Sequence, residues 1–336
     1  VSDLPWDEKM EDGSTMAESF LNNALQTAAL YALVPVIAQQ EGLSISDEAN
    51  ETFQKAMDTF SQQAGSQEMM DHVLWSSALT QDLYTRMYQA GDLNTQLMNR
   101  YYGDGAPDAP KDEDILAYVS DELQIAYKAK HILLKTVDTD KPIKDEDGKA
   151  TGKYEPLDDA TVAQKKATAE DILAQLQAAD DKEALFDELM KEYSEDTDSS
   201  GNVNSPDGYE AKSGQMVAAF EEAALALQPG QISGIVESTY GYHIILRLPI
   251  QAADYREKYV SYLMSQRQQS WLEQVPVETN DEFKKIDPAA FYTQLTALRT
   301  AVQAEVDAMQ AENSGDSSSS SSGSSSSSSS GSSSAS

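Results

Sequence analysis

Two of the three histidines in the chain sit on β-prone runs, His131 within Tyr127 to Leu134 and His243 within 242–248. Asp196 lies between them in a loop rich in Ser, Gly, Asn and Pro. Two imidazoles and a carboxylate support three chemistries: proton transfer, ligation of a metal by a two-histidine, one-carboxylate set, or mutual hydrogen bonding inside a core. No His-x-x-x-His spacing supports the metal, and the carboxylate also suits a plain solvated loop. Met216 and Phe220, four positions apart, would share one helix face and form either core or an apolar pocket wall. Cysteine is absent, which excludes disulfides, thiolate nucleophiles and cysteine-ligated metals.

The elements that must position these residues follow from hydrophobic pattern. Thr15 followed by Glu18 forms a capping box, and Leu21, Leu25, Ala28, Ala32 and Val36 recur at helical spacing up to a stop at Gly42. Ser46 with Asp47 and Glu48 opens a second helix that Gly65 closes, and shorter helices are predicted at 67–76, 79–90, 93–102 and 112–123. From Ala126 the character changes. A strand at 127–134 leads to an acidic loop at 136–159, then helices at 160–178 and 182–192, a loop at 194–214, a helix at 216–227 and strands near 234–238 and 242–248.

This order predicts an α+β domain, an antiparallel sheet covered by helices, at 126–249 inside an all-α module. Residues 1–125 form the first part of that module, and 250–312 are C-terminal helices whose first part completes it. Asp287-Pro288 opens the last helix, which carries Phe291, Leu295, Leu298, Val302, Val306 and Met309 and ends near Gly315. The Ser/Gly segment 313–336 is expected to be a disordered tail.

Composition narrows the partners. With 57 acidic against 24 basic side chains, the net charge of −33 argues against nucleic acid and against anionic membrane surfaces. No apolar run approaches the roughly 20 residues of a spanning helix, so no intrinsic membrane span, signal peptide or anchor is expected from the pattern.

Three blocks of the middle domain together resemble the parvulin family of peptidyl-prolyl isomerases. They are Lys128-Ala129-Lys130-His131-Ile132-Leu133-Leu134; Tyr193-Ser194-Glu195-Asp196; and Gly214-Gln215-Met216-Val217-Ala218-Ala219-Phe220-Glu221-Glu222-Ala223, continuing through Gly230-Gln231-Ile232-Ser233 to Tyr240-Gly241-Tyr242-His243-Ile244-Ile245. The flanking helices resemble the chaperone module of exported foldases of the PrsA and SurA kind.

The resemblance implies a cofactor-free isomerase acting on unfolded or partly folded exported polypeptides that contain X-Pro bonds, outside the cytoplasmic membrane. Members of that group are often tethered by an N-terminal lipid on cysteine, so any such anchor would lie upstream of Val1. By residue, it assigns His131 and His243 to a pair on adjacent central strands, Asp196 to a nearby polar position and Ser238 to a hydroxyl position. It also assigns Met216 and Phe220 to the proline-gripping pocket, and Tyr240 of the last motif is expected to bind substrate with them. The histidines are expected to organise the site rather than to carry protons. The loop from Asn204 to Ala211 departs from the family: it keeps a single glycine, Gly208, and has Ala211 where a large aromatic residue is common, so Tyr209 is expected to supply the missing apolar surface. A long acidic loop without a basic cluster speaks against phosphate-directed specificity.

The alternative is a holdase-type chaperone with a weakly active or inactive parvulin domain. The departed loop and the adaptable Met57, Met69, Met70, Trp75, Met87 and Met98 favour it, although such residues also serve as helix core.

Overall fold

A computed structural model describes residues 4–319. The chain forms two compact units, Pro110–Tyr262 and a second one built from the segments before and after it. The helical unit contains α1 (Met16–Gln40), α2 (Asp47–Ala64), α3 (Gln67–Ser76), α4 (Gln81–Tyr102) and, at the far end of the chain, a helix over Pro288–Ser319. Thr15, Ser46, Ser66 and Thr80 each accept a backbone N–H at the start of one of the first four, and Thr15 with Glu18 completes a capping box. Val34 and Ala38 of α1, Met70 and Leu74 of α3, and Leu93 and Leu97 of α4 are buried. Met57, Met69, Met87 and Met98 are half-buried and Trp75 is 45% exposed.

Several sequence expectations are revised here. The helices expected at 79–90 and 93–102 are one, α4, because Gly91 is accommodated inside it. The last helix continues past Gly315 to Ser319; the rest of the expected disordered tail lies outside the described residues. The apolar length of α1 was not expected: by length and composition alone it could cross a membrane, a test that a signal sequence also passes, and a single such helix near the N-terminus is consistent with the expected lack of an intrinsic span. Asn22, Asn23, Gln26 and Thr27 interrupt its apolar letters without adding charge, and Glu18 is its one charged residue.

The second unit begins with α5 (Asp112–Asp121) and β1 (Ile125–Lys135), followed by β2 (Val137–Lys144) and β3 (Ala150–Pro156). Then come α6 (Asp159–Ala178), α7 (Lys182–Tyr193), β4 (Tyr209–Lys212), α8 (Ala218–Ala226), β5 (Val236–Glu237), β6 (Gly241–Leu248) and the start of α9 (Ala252–Gln274). The sheet order is β4-β1-β6-β5, all antiparallel. One face packs on α6 and α7 through Ile132, Leu134, Ile172, Leu176, Phe186 and Ile244. The other, carrying Tyr127, Ala129 and Ile245, packs on Phe220 and Ala224 of α8. Ile115 and Val119 of α5 join Ile125, Ala252 and Tyr255 in a third cluster, so both flanking helices share apolar contacts with the end of β1.

The acidic segment expected to be a loop is the β2/β3 hairpin. Its turn is closed by the Asp145 carboxylate, which accepts the N–H groups of Asp147 and Lys149. Charges on both faces hide its alternation. The loop expected at 194–214 contains β4, in which Ala211 lies opposite Tyr127. Both are fully buried, so Tyr127 fills across the strands the volume that a larger residue at 211 would take.

Gly241 opens β6 at φ +146°, and a Cβ there would stand 2.1 Å from the Leu134 carbonyl oxygen and 2.8 Å from the Thr136 nitrogen. Gly241→Ala is expected to destabilise the sheet by about 2–4 kcal/mol. Urea unfolding followed by near-ultraviolet dichroism should show a lower midpoint with the slope kept; an unchanged midpoint would refute the close approach.

Candidate active site

In the β1/β6 pair, His131 lies opposite Ile245 and Leu133 opposite His243. The two histidines are therefore diagonal neighbours on one face, within reach of each other's side chains. Their Nδ1 atoms are 3.0 Å apart and their rings are within 16° of parallel. Both are buried, at 9% and 3% exposure.

Asp196 is carried to this pair by a short segment stitched along β1. Leu133 donates its N–H to the Ser194 hydroxyl, the Leu133 carbonyl accepts from Glu195 N–H at 2.8 Å, and the Glu195 carboxylate accepts from Lys135 N–H at 2.7 Å. The Glu195 side chain is also paired with Lys165. Asp196 Oδ2 then meets His131 Nε2 at 2.8 Å and accepts from the Tyr209 hydroxyl at 2.6 Å, while Oδ1 accepts from Asn204 Nδ2 at 2.8 Å. On the opposite side, Ser238 Oγ is 2.7 Å from His243 Nε2 and accepts the N–H of Tyr240. Tyr209, Asp196, His131, His243 and Ser238 thus form one continuous hydrogen-bonded chain.

A cavity of about 350 Å³ opens beside it. Phe220 forms its floor and meets both imidazoles edge to face, at centroid distances of 5.3 Å to His131 and 5.5 Å to His243. Met216 and Val217 extend this apolar end, whereas Lys135, Thr139 and Tyr240 line the polar one. Of the residues singled out in the sequence, His131, His243, Asp196, Met216, Phe220, Tyr209 and Tyr240 all line the cavity, and Ser238 stands behind His243.

Two placements differ from expectation. Met216 is not on a helix: α8 begins at Ala218, because the Glu221 carboxylate reaches back to accept the Gly214 N–H and the Ser213 hydroxyl and holds residues 213–217 as a turn. Tyr209 offers more than apolar surface, since its hydroxyl is bound to Asp196 while its ring stands 5.7 Å from His131. Asn204, Leu133 and Lys135 were not singled out. The period-two alternation of β1 from His131 marks Leu133 and Lys135; nothing local marks Asn204.

Burial opposes ionisation of Asp196, but the hydrogen bonds from His131, Tyr209 and Asn204 outweigh it and hold the carboxyl well below its usual range. Burial, and then the negative partner Asp196, push the Tyr209 hydroxyl well up, so it stays a donor. Burial, and then the neighbouring His131, push His243 down to about 3 against the pull of Asp196. The ring nitrogens are engaged with one another and with Asp196 and Ser238, and among the described residues no group of three His, Asp or Glu side chains is arranged to hold a metal ion.

Residues 131–248 match the family model described as rotamase, a PPIC-type PPIASE domain. Similar curated proteins include a foldase protein PrsA of Halalkalibacterium halodurans, 49% identical over 79 residues, which is 24% of this chain and 22% of that protein. The foldase protein PrsA of Bacillus subtilis is 45% identical over 84 residues, 25% of this chain and 26% of that one. A putative peptidyl-prolyl cis-trans isomerase, dodo, of Drosophila melanogaster is 50% identical over 66 residues, 20% of this chain and 38% of that protein. The chain thus spans about a quarter of the length of the PrsA relatives it matches.

The buried imidazole sets a pH dependence of stability. Above about 6.5, the ordinary histidine value, His243 is neutral folded and unfolded and contributes none. Between there and about 3, the unfolded chain takes up a proton that the folded one refuses, so stability falls with pH by up to about 1.4 kcal/mol per unit. Asp196 acts in the same sense lower down, stabilising the fold above its ordinary 3.8 and losing that contribution as pH falls below it. Urea midpoints measured from pH 7 to 4 should fall, and His243→Gln should flatten the slope; parallel slopes would contradict a buried neutral imidazole.

Proposed function

We propose, from the premise that residues 131–248 constitute a parvulin-type peptidyl-prolyl isomerase domain, that the chain is a peptidyl-prolyl cis-trans isomerase and foldase for exported polypeptides. An X-Pro bond favours trans only slightly, but its isomers are separated by about 18–20 kcal/mol and exchange in tens to hundreds of seconds. No bond need break. Catalysis needs only selective stabilisation of the twisted amide, and each ~1.4 kcal/mol gives about tenfold in rate.

The observation that carries this reading is the juxtaposition, in one cavity of about 350 Å³, of an apolar floor at Met216 and Phe220 with the buried histidine pair. Met216, Val217 and Phe220 grip the proline ring and strip water from the amide. His131, His243, Asp196 and Ser238 hold the polar side of the cavity in a fixed arrangement of dipoles, so that little reorganisation accompanies the loss of amide resonance. With His243 pushed down to about 3, it serves that role as a neutral group rather than as a proton donor near neutral pH. Tyr209 and Tyr240 line the cavity where the chain flanking the proline would lie.

The helical unit serves as the client-holding module, and the protein works outside the cytoplasmic membrane. The likeness to proteins named foldase PrsA, which covers about a quarter of this chain, supports the second assignment, and the apolar α1 is compatible with a signal or anchor role.

An exchange-NMR or protease-coupled assay on an Ala-Pro peptide tests the reading. Wild type should accelerate exchange. Met216→Ala should lower kcat/KM about tenfold, in line with the loss of 1–2 kcal/mol of apolar contact, and His243→Ala should lower it further. A wild-type rate equal to the uncatalysed one would overturn the isomerase reading.

A further inference from the structure

The polar chain admits two proton arrangements with both imidazoles neutral. In the first, Asp196 is a carboxylate and His131 Nε2 carries a proton toward it. His131 Nδ1 is then bare and accepts from His243 Nδ1–H, which leaves His243 Nε2 bare to accept from the Ser238 hydroxyl. In the second, which holds one proton more, a proton taken up from solvent by Asp196 faces a bare His131 Nε2 and every later bond reverses: His131 Nδ1–H donates to His243 Nδ1, and His243 Nε2–H donates to Ser238 Oγ, whose own proton turns away. Heavy-atom positions alone are common to both, so the sense is decided by what else touches Asp196.

Two further groups do, and both are donors. Asn204 Nδ2 can only donate to Oδ1, at 2.8 Å, and the Tyr209 hydroxyl lies 2.6 Å from Oδ2, the oxygen that His131 also uses. A carboxylate that already receives two donors has acceptor capacity to offer His131; a carboxyl proton would compete with those donors for the same oxygens. We propose that Tyr209, assisted by Asn204, is a positioning residue that locks the histidine pair into the first arrangement, with the proton of His131 on Nε2 and that of His243 on Nδ1. The depressed carboxyl of Asp196 and the raised hydroxyl of Tyr209 agree with this sense. For its kinetic consequence, though not for the proton arrangement itself, this rests on the isomerase reading.

The fold separates this role from the cavity wall. The Tyr209 ring lines the cavity, so Tyr209→Phe keeps the wall and removes only the hydroxyl. Asn204 lies outside the cavity lining, so Asn204→Ala removes a donor without touching the space a substrate would fill. Because the chain has three histidines, ¹⁵N-histidine labelling of the whole protein yields three ring systems, and His72→Gln removes the one outside the site.

Ring ¹⁵N–¹H correlation spectra of wild type should show His131 as the Nε2–H form and His243 as the Nδ1–H form. Tyr209→Phe combined with Asn204→Ala should give mixed or reversed forms at both rings, with amide spectra still dispersed as in wild type. On an Ala-Pro peptide, Tyr209→Phe should lower kcat about tenfold with KM within about twofold. A wild type with the reversed forms, or a folded double variant with unchanged ring signals and unchanged kcat, would overturn the proposal. Wild type without isomerase activity but with the expected ring forms would sink the isomerase reading and leave the proton arrangement standing.

Discussion

Asp196 is a carboxylate set against buried imidazoles, and holding it ionised there governs what surrounds it. Removing a carboxylate from water costs several kcal/mol unless its oxygens find donors. Three are supplied, from β1 (His131), from β4 (Tyr209) and from the connecting loop (Asn204). Charge-assisted bonds of this kind are short and about twice as strong as neutral ones. The chain of bonds through His131 to His243 and Ser238 then inherits its direction from one anion. A chain of this kind is either fully satisfied and rigid or a liability, and here each member has partners on both sides.

The sheet is what makes the geometry affordable. β1 and β6 are central strands, so their diagonal histidines are shielded on one face by α8 and backed on the other by α6 and α7. β4 is four residues long, yet its pairing of Tyr209 with Ala129 of β1 fixes where the hydroxyl falls. Gly208, just before it, brings the backbone so near that a Cβ would stand 2.7 Å from Leu248 Cδ1. Phe220 belongs equally to the core and to the site: it is 3% exposed, packs beside Tyr127 and presents its ring to both imidazoles. Stability and the shape of the cavity therefore depend on the same side chain.

Much of this was legible in the sequence because it is encoded locally. Alternation around His131 and His243 marks two strands, and the caps at Thr15 and Ser46 mark helix starts. Family likeness carried Asp196 and Ser238 to the histidines. What was not legible depends on long-range pairing. The partner of the Tyr209 hydroxyl follows from the β1/β4 register, as does the filling of the space at Ala211 by Tyr127. Met216 leaves the helix because a carboxylate five residues later captures Gly214, which periodicity does not register. The β2/β3 hairpin escaped notice because it is polar on both faces; α1 was read as a helix, but its uncharged polar residues disguised how apolar it is.

The central claim is that a proline ring lodges against Met216 and Phe220 with its amide beside the histidine pair. Selective ¹³C-methyl labelling of methionine in the whole chain, with intermolecular NOEs to an Ala-Pro peptide, tests this most directly. Cross-peaks from the proline ring protons to the Met216 methyl, lost on addition of a tighter proline-containing competitor, are the predicted result. Cross-peaks confined to methionines of the helical unit, such as Met87, with none to Met216, would contradict it.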